Sequence, residues 1–391
     1  MVEYRLIKYR PPEGFLMTNQ YAITGLIDGG MDKFQFVLYR EEDIIYNEEI
    51  DPIACRIKLS RIIGRKVIGQ LFSSVNPSRW SYMWLNEGIA TLFGVYIINQ
   101  TVPDSRMLDL FVVQTQQESL RLDDSHIMNP LDSEVNTPSI LRMLHHTVGD
   151  KIFQEGIKVY MKRETGSLDD FWTVMQSVYD SQTVDLEKLN VKDLMNPWIQ
   201  EKQYPILNVT EIFNSKWTKI FLETASKNWM VPLRSQVYIN LKQILPKICK
   251  KMILFVTQQY FLEKCYNSEY SQFIIINQQQ TGELDSSVFW DVVSYLQWET
   301  DYIPWYSMFK AAEHMSYILP FNSTDSTIFK KKLQMQLGPL LQKIGNEEKS
   351  NEDNFIKCLR QEALRWTCVL GDSECKKHAE FKLQWHLLNT T

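Results

Sequence analysis

The sequence predicts a multidomain, α-rich protein with β segments, arranged as a mixed front region, a small β region and a helical tail. Two patterns and the chain length predict it. Apolar residues recur at helical spacing from Ile53 through most of residues 105–200, and again from about Leu284 to the end. Between Tyr204 and about Ile276 the apolar runs shorten to strand length. With 391 residues the chain can bury more than one core.

Composition narrows the function classes. A chain that is 44% hydrophobic and 23% charged, rich in Trp, Tyr and Phe, is globular rather than disordered. A net charge of −5 supplies no basic field to recruit nucleic acid, and no nucleic-acid motif is present. No run of apolar residues reaches the ~18 that a membrane-spanning helix needs, so none is expected. Residues 1–12 carry Arg and Lys but no apolar core, so no signal peptide is expected there.

The front region opens with residues 15–50 read as strands, where Phe34-Gln-Phe-Val-Leu-Tyr39 is apolar and β-prone and follows a turn at Asp28-Gly-Gly30. A helix follows over 53–72, carried by Ile57, Leu59, Ile62, Ile63, Val67 and Ile68, and Asn76-Pro77-Ser78 stops it. A second helix spans about 84–98. Further helices are expected from Ile140, over 151–162 and over 168–179, with Gly149-Asp150 as punctuation. The β region offers strands at 206–209, 218–222, 236–239, 252–257 and 272–276.

Cysteines and sequons add two hints of the secretory pathway. Cys368 and Cys375 lie seven apart in a helical stretch, close enough to bridge if the helix breaks at Gly371 between them. Cys55, Cys249, Cys265 and Cys358 show no metal-ligand spacing. Glycosylation sequons begin at Asn99, Asn208, Asn322 and Asn389. Of the six histidines none forms a pair at i, i+4. His145 and His146 are adjacent on a helix, so they are expected to face different directions as surface or rim residues.

The string Trp80-Ser-Tyr-Met-Trp-Leu-Asn-Glu-Gly-Ile-Ala90 resembles the Trp- and Glu-bearing segment of the aminopeptidase N type of zinc peptidases. Gly29-Gly-Met-Asp-Lys33 is similar to that family's Gly-Ala-Met-Glu-Asn motif. Asn136-Thr-Pro-Ser139, Leu141-Arg-Met-Leu144, Phe153-Gln-Glu-Gly-Ile157, Met195-Asn-Pro-Trp198 and Glu299-Thr-Asp-Tyr-Ile-Pro-Trp-Tyr306 follow in the family's order. The resemblance implies a thermolysin-like catalytic-domain remnant over 1–203, a small β-sandwich over 204–283 and an incomplete C-terminal helical (superhelical) domain over 284–391. It also implies that the family's N-terminal β domain is absent, that the Cys368–Cys375 loop is a disulfide, and that the protein is secreted or membrane-associated outside the cell.

The same resemblance assigns roles, and most of the residues that should fill them are missing. The family's zinc helix carries His-Glu-x-x-His, whose i, i+4 imidazoles reach one metal ion while the Glu acts as general base. Here Arg65 takes the first His position, Lys66 the base and Gly69 the second His. Glu87 corresponds to the third ligand and is the only one kept; without the resemblance it is simply an acid in the first turns of a helix. Between Gly69 and Glu87 lie 17 residues, one fewer than the family has. In the amine-binding remnant, Gly30 and Met31 precede Asp32, which is one methylene shorter than Glu, and Lys33 would repel a substrate ammonium. The family's oxyanion-stabilising Tyr, expected just upstream of Leu141-Arg-Met, has no counterpart.

The expectation is an aminopeptidase N-like protein that binds no zinc and is catalytically inactive, kept as a scaffold for peptides or proteins. The alternative is the family activity, zinc-dependent removal of N-terminal residues.

Overall fold

A computed structural model describes residues 19–26, 36–48, 51–72, 76–77, 83–102, 104–119, 136–183, 189–200, 206–211, 218–223, 252–254, 290, 293–318, 324–349 and 351–389. The chain divides into two compact units, Met1–Tyr46 with Ile57–Asn267 and Asn47–Arg56 with Ser268–Thr391.

The first unit opens with β1 (Asn19–Ile23) and β2 (Phe36–Arg40), paired in parallel. β2 alternates, with Val37 and Tyr39 buried and Phe36 exposed, as a strand covered on one face must. The strand reading of 15–50 does not hold throughout: Glu41–Ile44 is a helical turn, α1, rather than more strand. Its Asp43 accepts from Arg40 and Lys58 and is held below the usual carboxylate range, first by the Arg40 hydrogen bond.

Two helices then form the middle of the unit. α2 (Ile53–Phe72) matches its expected bounds, and α3 (Met83–Thr101) is apolar almost all round. Leu85, Ile89, Leu92, Phe93, Val95 and Ile98 are all buried, the signature of a helix enclosed by neighbours. α2 and α3 approach until their backbones touch: a Cβ on Gly94 would lie 2.6 Å from the Arg65 nitrogen, and one on Gly64 2.9 Å from the Gly94 oxygen. β3 (Asn76–Pro77) lies between them in sequence.

α4 (Met107–Phe111) runs into a π-helical turn, Val112–Gln116, that the apolar spacing did not predict. Arg61 of α2 donates to Gln114 and Thr115 of this turn. α5 (Asn136–Val148) begins four residues before the expected Ile140, because Pro138 is tolerated in a first helical turn. Gly149, at φ +87°, separates it from α6 (Asp150–Tyr160). β4 (Thr165–Gly166) pairs with β3. α7 (Leu168–Gln182) starts on a capping box, with the Asp170 amide donating to the Ser167 hydroxyl and the Ser167 amide donating to the Asp170 carboxylate. α8 (Val191–Gln200) buries Val191, Leu194, Met195 and Trp198. An antiparallel sheet follows in the order β6 (Thr218–Glu223), β5 (Ile206–Glu211), β7 (Met252–Leu254). The strands expected at 236–239 and 272–276 lie outside the described residues.

The second unit is helical where described. A 3-10 turn (Ser294–Trp298) leads to α9 (Tyr302–Ile318), α10 (Thr324–Ile344), α11 (Asn354–Val369) and α12 (Ser373–Asn389). The Glu299 carboxylate accepts the Thr300 and Asp301 amides, Asp301 accepts the Ile303 amide, and the Trp305 indole donates to the Glu299 carbonyl. The segment 299–306 is therefore a cap that starts α9. Arg360 of α11 is buried and donates to the carbonyls of Ile344 and Gly345, where α10 ends, and to Glu352. α12 leaves Phe381, Leu383, Trp385, Leu387 and Leu388 exposed.

Candidate functional site

The four residues expected at the zinc site lie on α2 and α3. Arg65 and Gly69 are half-buried on α2, one turn apart, and Lys66 is only 2% exposed. Glu87 is exposed on the second turn of α3 and forms no hydrogen bond or ion pair among the described residues. Arg65, Lys66 and Gly69 share α2, and Glu87 on α3 does not pair with Lys66. Gly30, Met31, Asp32 and Lys33 lie outside the described residues, as does Trp80. Trp84, on the first turn of α3, is half-buried, and its buried indole nitrogen has no hydrogen-bond acceptor among the described residues.

The donor set does not fit zinc. Arg65 cannot give up its proton in a protein, so its guanidinium offers no lone pair to a metal. Gly69 has no side chain. A catalytic zinc takes about three protein ligands, and one exposed carboxylate cannot supply them. Among the described residues no group of three or more His, Cys, Asp or Glu side chains is arranged to hold a metal ion.

Around this site the packing is tight. A Cβ on Gly88, next to Glu87, would meet the Thr137 side chain at 2.1 Å, so α3 and α5 are in close contact there. Arg142 of α5 is buried and its guanidinium lies 5.0 Å from the centre of the Phe111 ring.

The remaining expected residues are placed as follows. Cys368 and Cys375 are joined by a disulfide, Cα atoms 5.3 Å apart, across the break at Gly371, whose φ is +101°. Asn99 is half-buried on α3, and its side-chain oxygen accepts the Leu108 amide. Asn208 is on β5 and Asn389 ends α12, while Asn322 lies outside the described residues.

One cluster was not legible in the sequence. His145 and His146 are half-buried, as rim residues are, but they do not diverge: their rings stack, centroids 5.6 Å apart. The ring of His145 also stacks on Phe153 and is hydrogen-bonded on both nitrogens, to Tyr96 and Asp150. The divergence rule describes Cα–Cβ directions, and two long planar side chains can bend back over it. Only Asp150, five residues on across a glycine, gave a local hint.

Comparison with known proteins resolves the ancestry of this scaffold. The sequence profile described as peptidase family M1 domain matches residues 4–198, and the one described as ERAP1-like C-terminal domain matches residues 276–390.

The chain belongs to the aminopeptidase N-type family.

Within that family it is 24% identical to aminopeptidase N of Plutella xylostella, over 95% of this chain and 47% of the relative. It is 22% identical to human glutamyl aminopeptidase, over 96% of this chain and 45% of the relative. Aminopeptidase M1 of Arabidopsis thaliana is 24% identical over 59% of the chain. The chain thus spans about half the length of these first two relatives. Among the described residues no helix is long and apolar enough to cross a membrane.

Proposed function

We propose that this aminopeptidase N-type chain is non-catalytic and uses its scaffold to bind a peptide or protein. The observation that carries the reading is the residue content of α2: Arg65, a buried Lys66 and Gly69 stand where a zinc peptidase needs His, Glu and His. The Arg65 guanidinium raises the cost of a divalent ion nearby, and Lys66 at the base position removes the carboxylate that would activate its water. The binding surface in this reading comprises Asp32, Gly30 and Met31, the remnant of the amine-binding motif, together with the exposed carboxylate of Glu87.

The finer architecture belongs to the same proposal: a thermolysin-like remnant over 1–203, a β-sandwich over 204–283 and a superhelical segment over 284–391. So does a secreted or extracellular membrane-associated location, which the sequons at Asn99, Asn208, Asn322 and Asn389 support. Enzymatic deglycosylation of protein secreted from eukaryotic cells, read by mass, tests each sequon.

A second reading is zinc-dependent release of N-terminal residues, favoured by the names of the relatives, aminopeptidase N and glutamyl aminopeptidase. Elemental analysis of the purified chain, with hydrolysis of an aminoacyl reporter, separates the two. The non-catalytic reading expects zinc far below one equivalent and no turnover above buffer. One equivalent of zinc with chelator-sensitive hydrolysis would overturn it.

A further inference from the structure

Tyr96, His145 and Asp150 form a continuous chain of hydrogen bonds joining α3, α5 and α6. The Tyr96 hydroxyl lies 2.9 Å from His145 Nδ1, and His145 Nε2 lies 2.9 Å from Asp150 Oδ1. A carboxylate only accepts, so Nε2 carries a proton and donates to Asp150. The neutral ring then offers the Nδ1 lone pair to the Tyr96 O–H, so both ring nitrogens and the phenol hydrogen are satisfied. Gln154 donates to the same Asp150 oxygen at 2.9 Å. Phe153 of α6 stacks on the imidazole with centroids 4.7 Å apart, and Phe93 of α3 stacks on Phe153. Three helices therefore meet at one half-buried imidazole.

We propose that this chain is a proton-sensitive latch, which holds α5 and α6 on α3 while His145 is neutral and loosens them when the ring is protonated.

Protonation puts a hydrogen on Nδ1, facing the Tyr96 hydroxyl. The phenol must then turn its own proton away, and among the described residues it has no hydrogen-bond partner besides His145. The ionisable groups facing the ring are Tyr96 from α3, Asp150 from α6, and Arg142 and His146 from α5 itself. Burial pushes the His145 pKa below its ordinary value; Arg142 acts in the same direction and Asp150 opposes both. Burial pushes the Tyr96 phenol up to about 12, so it remains a donor throughout the neutral and acid range.

The sign follows. With a folded pKa below the unfolded value of about 6.5, the folded chain binds fewer protons than the unfolded chain as pH falls below that value. Stability is full above about pH 6.5 and is lost toward the folded pKa, at up to about tenfold in the folding constant per pH unit.

The test follows histidine ring nitrogens by NMR on the full chain between pH 7.5 and 5. The unfolding equilibrium of the unaltered chain and of His145→Gln is measured over the same range. The expected result is an Nε2–H tautomer at neutral pH, titration below the value of an unfolded histidine, and an acid-induced loss of stability that His145→Gln lacks. Titration of His145 at or above the unfolded value, or a full pH dependence retained in His145→Gln, would overturn the proposal. If the variant does not fold, amide exchange of α5 and α6 in the unaltered chain decides. Protection that falls below pH 6.5, after correction for intrinsic rates, supports the latch, and constant protection refutes it.

Discussion

Gly64 and Gly94 meet backbone to backbone where α2 crosses α3. Neither position has room for a methyl group, since the nearest atoms to a Cβ on Gly94 belong to the backbone of Arg65 and Gly64. Backbone cannot rotate out of the way as a side chain can. Gly94→Ala is therefore expected to cost about 1–3 kcal/mol or more of stability by overpacking. Gly156→Ala meets only the flexible end of Met175 and should cost less. Urea unfolding of the two variants side by side checks the order, and equal losses would contradict it.

Restoring ligands should restore metal binding. The triple variant Arg65→His, Lys66→Glu, Gly69→His puts two imidazoles at i, i+4 on α2, with Glu87 as the third ligand that the family resemblance implies. One equivalent of zinc is expected in a calorimetric titration where the unaltered chain gives no binding heat. Adding Glu87→Ala to the triple variant should weaken that binding at least tenfold.

The Arg360–Glu352 pair should matter more than the exposed ion pairs. Both side chains are nearly enclosed, at 2% and 9% exposure, and the guanidinium also binds the last carbonyls of α10. Arg360→Ala leaves a carboxylate and two carbonyls without their donor and is expected to cost about 3–5 kcal/mol. Arg365→Ala, on a mostly exposed pair with Glu362, should cost less than about 1 kcal/mol. Denaturant unfolding of the second unit's helices reads both.

Acid should weaken the same pair. The hydrogen bond from Arg360 is the largest cause holding the Glu352 carboxyl below its ordinary value. A depressed carboxylate contributes stability that is present above the unfolded pKa of about 4.3 and is lost as pH falls through the folded value. Glu352→Gln should start less stable at pH 7 and lose less on acidification below pH 4.3. A parallel fall of both proteins would contradict the assignment.

Reduction should loosen the last helical turn. The Cys368–Cys375 bridge closes a short loop around Gly371, worth roughly 2–3 kcal/mol in the chain-entropy account. α12 rests largely on that tether, because most of its side chains are exposed. Faster amide exchange in α12 after mild reduction, with α9–α11 little changed, is the expected outcome.

What could be read in advance depended on how far apart the deciding residues lie. α2 was legible because Ile57, Leu59, Ile62, Val67 and Ile68 repeat within one helix, and the break at Gly371 because a glycine between two cysteines is a local signal. Family membership was legible from one Trp-rich string around Glu87. The exposure of Glu87 was not, because string similarity carries no information on where a carboxylate points. The Gly64–Gly94 contact joins positions 30 residues apart, and each glycine alone looks like a weak spot in a helix. Tyr96 and His145 are 49 residues apart and nothing near either announces the other. The π-turn at Val112–Gln116 has no distinctive apolar period, so ordinary helix was the natural reading.

The guanidinium of Arg360 gathers the end of one helix and the start of the next into a single joint. Its planar fork reaches two carbonyls and a carboxylate at once, which a lysine's single nitrogen cannot do with the same geometry. One side chain thus ties the end of α10 to α11 and to the carboxylate that precedes it. Arg360→Lys would keep the charge but could not keep all three contacts in that geometry, so the junction would lose donors without losing its net charge.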